Sequence, residues 1–374
     1  MAVSLHSPTQ HRLAQIDAMR RAVILEGRSS TGLSPGSWTD HGWIERSWQR
    51  CLDAGQRPEH SLTFEVVPSQ ARRRTEEANH MLLQAAKPLL ERLGRAIANS
   101  HYFAILTDAQ GVVIDVNGAI DRGDARARAL TRIGVDLSET AVGTTAIGAA
   151  LAELRPVWLH RGEHFFHDTS AFSCAGAPLF GPDGRCVGML DLTGIEVPER
   201  PELKHLVAQW ARSIENSLVL AQPHALLLRL NWPGCNLGDD VDGLVGLDRE
   251  GNVVAVNTTA RQMIAQLASG PLLPLLTHCG ELFAMPWELL YDASRRGRPM
   301  EVPLWSGLTL EVVALTPGAQ SAAPSAGHDR PLPLRAVETA LIRTAVDEAH
   351  GNVKEAARLL GISRATVYRK LGRK

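Results

Sequence analysis

The chain has 374 residues, of which 44% are hydrophobic and 21% charged, and its formal net charge is -1. These values are typical of a globular protein of two or three domains and exclude a disordered or fibrous chain. No run of about 18 apolar residues is present, and residues 1–10 lack a secretory signal, so no membrane contact is predicted. The five cysteines form no CxxC pair, which argues against a disulfide framework and favours a reducing, cytoplasmic environment.

The chain begins with a predicted helical lead-in, residues 1–67, and a longer helical pattern starts near Pro68. Farther along, segments 105–114, 178–188 and 247–254 share a strand–turn–strand pattern in which Asp and Gly supply the turn. Because such hairpins alternate with helical segments, the sequence predicts a multidomain α+β protein with antiparallel sheets.

A group of short motifs lies between residues 143 and 194. They read Gly-Thr-Thr-Ala-Ile-Gly at 143–148, Arg-Pro-Val at 155–157, Glu-His-Phe-Phe at 163–166, Cys-Ala-Gly-Ala-Pro-Leu-Phe at 174–180 and Gly-Met-Leu-Asp-Leu-Thr-Gly at 188–194. With these motifs, and with Ser-Trp-Gln-Arg-Cys at 47–51, residues 68–221 resemble the GAF domain of acetoin-type regulators associated with sigma-54. The resemblance implies a central antiparallel sheet with helices on one side and a small-molecule pocket on the other.

Several side chains of this GAF-like region are candidates for binding a small organic effector, because ligand sites combine apolar walls with a few polar groups. The candidates are Phe103, Thr144, Thr145, Trp158, His160, His164, Phe165, Cys174 and Asp191. For the aromatic residues Phe103, Trp158 and Phe165, simple core packing is the alternative.

The spacing of His160, His164 and His167, followed by Cys174, also raises the hypothesis of a metal site. Residues 156–160 are predicted to form a strand, whose side chains alternate, so the histidines would not share one helix face. No carboxylate-rich ligand pattern accompanies them, and we predict neither a metal nor another cofactor. The glycines at 143–148 lack the lysine of a phosphate loop and are interpreted as a helix start.

Residues 222–315 form a second predicted α+β region. It contains a hairpin within 242–257 and a helical segment, 258–267, for which Asn257 is a suitable N-cap. Two strands are predicted at 300–304 and 308–315. The region resembles a PAS domain, and the resemblance implies a fold that dimerises or relays a signal.

The segment 316–333 is rich in Pro, Gly, Ala and Ser and predicts a flexible linker. It is followed by a basic end, because residues 353–374 contain seven Lys or Arg and one Glu, a net +6 that leaves -7 on the remaining chain. A basic end on an acidic body is typical of a DNA-binding module attached to a larger sensory part.

Residues 334–374 are predicted to form a small all-α domain. A first helix over 334–349 precedes a second over 353–360, with Asn352 as its cap, and Gly361 permits a sharp turn into a third helix. Ala357 and Val367 are expected in its core. The region resembles a Fis-type helix-turn-helix, which implies binding to double-stranded DNA as a homodimer through helix 334–349. The candidate DNA-contacting residues are Ser363, Arg364, Thr366, Tyr368, Arg369 and Lys370.

The resemblance also implies an ATPase domain between the sensor and the helix-turn-helix, but the sequence contains neither a GxxxxGK[ST] motif nor Gly-Ala-Phe-Thr-Gly-Ala. The sequence therefore predicts a ligand-responsive DNA-binding regulator that acts without ATP hydrolysis and is not an enzyme. One alternative is an adaptor that antagonises a full-length sigma-54 activator. Another is a thiol redox enzyme using Cys174, although no base or orienting group is visible in the sequence.

Overall fold

A computed structural model describes residues 8–28, 42–64, 67–268, 277–295 and 297–317, and four positions nearer the C-terminus, 353, 357, 364 and 367. The chain divides into two compact units, Met1–Pro317 and Gly318–Lys374. The described part of the first unit contains two antiparallel sheets of five strands each. No helix in the described part of the chain is long and apolar enough to span a membrane.

The first sheet lies within the GAF-like region. Its strands are β1 (Tyr102–Asp108), β2 (Val113–Gly118), β3 (Val157–His160), β4 (Phe172–Phe180) and β5 (Cys186–Ile195), in the order β2-β1-β5-β4-β3. Side chains alternate between its two faces, as the pleat of a strand requires. On β5, for example, Met189 belongs to one hydrophobic cluster while Leu190 and Leu192 belong to the other.

Long helices cover one face of this sheet. They are α4 (His80–Ala96) and α8 (Leu203–Leu220), and α8 confirms the helix predicted after residue 200; α3 (Ser69–Ala78) precedes α4 and has no buried residue. Leu90 and Leu93 of α4 and Val207 and Ile214 of α8 recur at helical spacing and are buried in the same cluster as Leu190.

The opposite face is covered as well, which corrects the expectation that helices would lie on one side only. Its cover comprises α1 (Pro8–Arg20), a π-helical turn (Arg21–Leu25), α2 (Gly42–Asp53), α5 (Ala125–Leu130), α6 (Glu139–Val142), α7 (Ala146–Glu153) and two short 3-10 turns (Arg161–Glu163 and His167–Thr169). Trp43, Trp48 and Cys51 of α2 share one hydrophobic cluster with Ile105 and Cys174 of the sheet. The lead-in therefore packs into the core of the GAF-like region, because the apolar face of α2 must be buried against something.

All three predicted hairpins are confirmed: β1–β2, β4–β5 and the pair of strands Gly243–Leu247 and Val253–Val256. In the first, Asp108 Oδ1 accepts from the amides of Gln110 and Val112, both at 2.9 Å, while Gly111 adopts a φ of 86°. Only glycine takes that φ without strain, so the Asp and Gly positions determine the turn.

The second sheet consists of β6 (Leu226–Asn231), β7 (Gly243–Leu247), β8 (Val253–Val256), β9 (Met300–Pro303) and β10 (Thr309–Leu315), in the order β8-β7-β6-β10-β9. Among the described residues of this region, four helices accompany it: α9 (Thr258–Met263), α10 (Ala265–Ala268), α11 (Cys279–Leu282) and α12 (Glu288–Ser294). No sequence pattern predicted β6, the central strand. Its leucines are buried on both faces of the sheet, so the consecutive Leu226, Leu227 and Leu228 show no alternation of apolar and polar residues.

A buried polar network joins α8 to the second sheet. The side chain of Asn257 caps α9 by accepting from the amide of Ala260 at 2.9 Å, which confirms the predicted cap. Its amide nitrogen donates to Asn216 Oδ1 of α8 and to the carbonyl of Asp242, both at 2.8 Å. Because α8 also packs under the first sheet, the same helix is in contact with both sheets.

In the second unit the described positions agree with the predicted helix-turn-helix. All four are helical, Ala357 and Val367 are buried as expected for its core, and Arg364 is exposed. The predicted dimer helix 334–349 and five of the DNA-contact candidates, Ser363, Thr366, Tyr368, Arg369 and Lys370, lie outside the described residues, as does most of the predicted linker.

Candidate functional site

A small cavity of about 30 Å³ lies on the lead-in side of the first sheet. It is lined by Phe64, Ile105, Leu130, Leu137, Val142, Thr145, Ala146, Ile147, His164, Thr169, Phe172, Cys174, Asp191 and Thr193. A volume of this size holds about two or three water molecules. The walls are mainly apolar, and the lining residues include no lysine or arginine.

The register of the central strands places the polar side chains of this cavity next to one another. Ile105 of β1 pairs with Asp191 of β5, and Cys174 of β4 pairs with Thr193 of β5, so all four residues share one face. Thr145 at the start of α7 reaches the cavity while its hydroxyl caps the helix by accepting from the amide of Gly148 at 3.3 Å.

His164 presents a hydrogen-bond acceptor to the cavity. Its Nδ1 lies 2.9 Å from the carbonyl oxygen of Arg161, which can only accept, so Nδ1 carries the proton and Nε2 is left as the acceptor. Nε2 is buried and has no partner among the described residues. Burial lowers the pKa of His164 to about 4, so the ring is neutral at physiological pH.

Asp191 presents the second unpaired polar atom. Thr193 Oγ1 donates to Asp191 Oδ2, whereas the buried Oδ1 has no partner within the described part of the chain. Burial raises the pKa of Asp191 to about 7. Cys174 lies beside this pair, with its Sγ 3.4 Å from Thr193 Oγ1, and burial raises the pKa of its thiol well above the usual value.

The lead-in helices hold the loop that carries His164. We refer to residues 161–166 as the His164 loop. Arg20 of α1 donates to the carbonyls of Gly162 and Phe165, each at 2.9 Å, and the indole Nε1 of Trp48 donates to the carbonyl of Glu163 at 2.9 Å. The carboxylate of the buried Glu163 pairs with Arg12 at 2.5 Å. The position of His164 thus depends on α1 and α2, which lie far from it in sequence.

Four of the predicted ligand residues line the cavity: Thr145, His164, Cys174 and Asp191. Thr144 does not, because its hydroxyl lies 2.7 Å from Ser47 Oγ of α2. Phe103 and Phe165 are buried in the hydrophobic cluster around the cavity without lining it, so the core alternative describes them.

Trp158 and His160 lie on the other face of the sheet and do not line the cavity. On β3, Val157 and Leu159 point into the cavity-side cluster, so the alternation of the strand sends Trp158 into the cluster under α8. His160 stacks on Trp158 with ring centroids 6.4 Å apart, and its Nδ1 lies 2.7 Å from Ser173 Oγ.

The cavity is also lined by residues that were not predicted from the sequence, chiefly Thr193, Phe172 and Phe64. Period-two alternation could have found two of them, since Thr193 follows Asp191 and Phe172 precedes Cys174 by two positions in a strand. Phe64 comes from the connection before α3, and no local pattern points to it.

The metal hypothesis finds no matching arrangement, since the described residues contain no group of three His, Cys, Asp or Glu side chains able to hold a metal ion. His160 and His164 each engage Nδ1 with a neighbour, and His167 is exposed.

Residues 29–216, half of the chain, match the family described as MimR, N-terminal domain. Residues 333–373 match the family described as bacterial regulatory protein, Fis family. The second match covers the helix-turn-helix predicted from the sequence.

Among curated proteins, the acetoin catabolism regulatory protein of Cupriavidus necator is 30% identical over 256 residues, 67% of this chain and 37% of that protein. The propane 2-monooxygenase operon transcriptional activator MimR of Mycolicibacterium smegmatis is 30% identical over 154 residues, 40% of this chain and 25% of that protein. The chain thus spans about a third or less of the length of these relatives.

Among solved structures, the DhaR(N)-DhaL complex of E. coli matches with a TM-score of 0.44 and 16% identity, over 74% of this chain and 99% of that chain. The GAF domain of the nutrient sensor CodY from Clostridium difficile matches with a TM-score of 0.25 and 16% identity, over 39% of this chain and 94% of that chain.

Proposed function

Because the chain belongs to the family of the MimR N-terminal domain, we propose that it is a ligand-responsive transcription regulator whose C-terminal helix-turn-helix binds a specific DNA operator. The match of residues 333–373 to the Fis family carries the DNA-binding part of this proposal. The exposed Arg364 and the buried Ala357 and Val367 support it, since a recognition helix needs a basic outer face and an apolar inner one.

The cavity between the first sheet and the segment that carries α5, α6 and α7 is the proposed effector site. Two fully buried polar atoms line it without a partner among the described residues, and a ligand would satisfy both. The named relatives control acetoin catabolism and a propane 2-monooxygenase operon, which supports a small organic molecule as the effector.

We propose that residues 68–221 are the GAF-like sensor and residues 222–315 a PAS-like domain, with the lead-in 1–67 completing the sensor. The buried contacts of α8 with both sheets support a path from the sensor to the PAS-like domain. The protein would act as a homodimer on a two-fold operator, because symmetric half-sites mirror dimer symmetry.

The proposed mode of action is occupancy of a promoter without ATP hydrolysis. The sequence lacks a phosphate loop with its lysine. The sensor and the DNA-binding end would therefore act only by changing the equilibrium between free and DNA-bound protein. Competition with a full-length sigma-54 activator for one site is the second candidate, since the relatives are longer proteins of which this chain matches about a third or less.

A thiol redox function through Cys174 has less support. A reactive cysteine needs a lowered pKa and access to solvent, whereas Cys174 is buried and its thiol pKa is raised.

The DNA-binding proposal is tested with an operator selected from a random-sequence duplex library by the full-length protein. Arg364→Ala is expected to weaken binding to that operator by about 1–3 kcal/mol if Arg364 contacts a base. Arg369→Ala is tested in parallel. Footprinting is expected to show two symmetric protected half-sites, and affinity is expected to fall steeply with salt.

The matched control is Arg249→Ala, which removes an exposed arginine from the first unit and should leave operator affinity unchanged. Unchanged affinity in both Arg364→Ala and Arg369→Ala would refute the assignment of the recognition helix. Protection of a single half-site would refute the dimer.

A further inference from the structure

Strands β4 and β5 connect the cavity to the second sheet. Cys174 of β4 and Asp191 and Thr193 of β5 line the cavity. The two strands stay paired from there to the turn between them, where Phe180 pairs with Cys186. At about 3.3 Å per residue, the beginning of that turn lies ~20 Å from Cys174 along β4. The strands that line the cavity therefore end in a turn well away from it.

The turn of residues 181–185 packs against the edge of the second sheet. The amide of Gly181 donates to the carbonyl of Arg185 at 2.8 Å and closes the turn. From β8, an edge strand of the second sheet, the amide of Val256 donates to the carbonyl of Pro182 at 3.0 Å. Val256 is fully buried, and the outward amide of an edge strand has no partner within its own sheet. The turn of the first sheet therefore supplies that partner.

The same turn also packs on helix α9. Gly184 has a φ of 80°, and a Cβ added at this position would overlap the guanidinium group of Arg261. The Nη1 of Arg261 donates to the carbonyl of Leu267 at 3.1 Å, which restricts the guanidinium group. Burial lowers the pKa of Arg261, and the carboxylates of Asp183 and Glu215 oppose this shift. A displacement of the turn would therefore press directly on a side chain of α9.

Two consecutive residues of α8 hold the two sides of this contact. Glu215 Oε1 accepts from the amide of Phe180, at the end of β4, at 2.9 Å. Asn216 Oδ1 accepts from Asn257, the N-cap of α9, at 2.8 Å. Because α8 keeps the end of β4 and the beginning of α9 next to each other, a shift of β4 and β5 must be accommodated between them. We refer to residues 180–185, Glu215, Asn216 and residues 256–261 as the joint.

We propose, on the basis of the function proposed above, that the turn between β4 and β5 carries the state of the cavity to the second sheet. A molecule that widens or tightens the cavity displaces β4 and β5, and the joint converts this displacement into a movement of α9 and of the end of β8. Paired strands and packed side chains are the kind of contiguous network that carries such coupling. The second sheet ends at Leu315, directly before the unit that begins at Gly318, so it lies between the sensor and the DNA-binding end in the chain.

Hydrogen exchange of the full-length protein, followed by mass spectrometry, tests the joint without a ligand. Thr193→Val alters a cavity-lining side chain on β5 and removes its hydrogen bond to Asp191. Peptides that span Val256 are expected to exchange at least about threefold faster in this variant, because the Val256 amide is bonded to the turn. Peptides from α12 are expected to exchange as in the natural chain, which excludes a general loss of stability. Thr169→Val, the identical change at a cavity-lining position outside β4 and β5, is expected to leave the Val256 peptides unchanged.

A longer turn tests whether the signal passes through residues 181–185. Two glycines inserted after Asp183 lengthen the turn and separate it from α9, and no cavity-lining residue is changed. Relative to the insertion alone, Thr193→Val is then expected to have no effect on the Val256 peptides. The same insertion after Gln110, in the turn between β1 and β2, is the matched control and should leave the effect in place. If Thr193→Val does not fold, Cys174→Ala on β4 replaces it in the same comparisons.

Two results would overturn the proposal. One is unchanged exchange of the Val256 peptides in both Thr193→Val and Cys174→Ala, and the other is an effect that persists when the turn is lengthened. Operator binding measured on the same samples separates the joint from the proposed function. If Val256 responds as expected but no operator is bound, the joint stands and DNA-binding regulation is wrong. If an operator is bound but Val256 does not respond, the joint is wrong and DNA-binding regulation stands.

Discussion

At the scale of single residues, this protein buries an unusual set of carboxyl groups in its first unit. Glu163, Asp191 and Glu215 are each at most 3% exposed, and burial raises the pKa of each to about 7. Each has a different partner: Glu163 pairs with Arg12, Asp191 accepts from the hydroxyl of Thr193, and Glu215 accepts from the amide of Phe180. The hydrogen bonds oppose the shift but do not cancel the cost of removing a carboxylate from water.

Glu215 on α8 makes this cost measurable. Its pKa is raised from 4.5 to about 7 in the folded state, so the folded protein binds more protons than the unfolded one between these values. The contribution of Glu215 to stability is therefore present below about pH 4.5 and is lost as the pH rises through about 7. Glu215→Gln, which keeps the acceptor for the Phe180 amide, is expected to gain stability relative to the natural chain over that interval, on the order of 1.4 kcal/mol per unit of pKa shift.

Thermal unfolding at pH 5 and pH 8 checks this prediction, with Glu202→Gln, a change of an exposed glutamate at the N-cap of α8, as the control. If the difference in unfolding temperature between Glu215→Gln and the natural chain were the same at pH 5 and pH 8, the prediction would be contradicted.

At the scale of elements, helix α2 determines how the sensor is built. Trp48 is 0% exposed and is both a core side chain and the donor to the carbonyl of Glu163 in the His164 loop. Cys51 and Ser47, on the same helix, contact Thr144 at the beginning of the segment that leads into α7. Because these contacts cross most of the sensor sequence, the lead-in and the sheet should fold as one cooperative element.

Trp48→Ala is expected to lower the free energy of unfolding of the first unit by about 3–5 kcal/mol, since it leaves a large cavity and an unpaired carbonyl. Gln49→Ala, at the exposed neighbouring position of α2, should change it by less than about 0.5 kcal/mol. Urea unfolding followed by circular dichroism measures both. A small loss in Trp48→Ala would mean that α2 rests on the sensor without stabilising it.

At the scale of the whole molecule, the charge distribution separates the two units. The second unit, residues 318–374, contains ten Lys or Arg and five Asp or Glu, a net +5 that leaves -6 on the first unit, so the DNA-binding end is attracted to phosphate and the sensory unit is repelled by it. The electrostatic attraction to DNA should then come from the C-terminal end of the chain.

If the protein acts by occupancy, nucleotide should have no effect on it. Purified protein is expected to hydrolyse no ATP above background, and footprints on the selected operator should be identical with and without ATP. An in-vitro transcription assay with sigma-54 polymerase and no other activator should stay inactive. Specific ATP hydrolysis, or open-complex formation in that assay, would show that the protein does more than occupy the promoter.

The features that the sequence predicted correctly are those that depend on residues close to one another in the chain. The Asp and Gly positions of the three hairpins, the cap at Asn257 and the apolar period of α8 depend on neighbours a few residues apart, so the sequence displays them directly. The same holds for the helix-turn-helix, where the spacing of Ala357, Arg364 and Val367 predicted one exposed and two buried positions.

The tertiary structure decided the composition of the site. His160 and His164 look equivalent in the sequence, yet β3 ends at His160. The alternation of the strand places His160 on the face covered by α8, whereas the loop that follows places His164 in the cavity. The burial of α2 in the core of the GAF-like region and the central position of β6 depend on contacts between segments far apart in the chain. Sequence patterns show which faces of helices and strands are apolar. Only the packing determines which apolar faces meet, because the hydrophobic effect is non-directional and an apolar face can be buried against many different apolar surfaces.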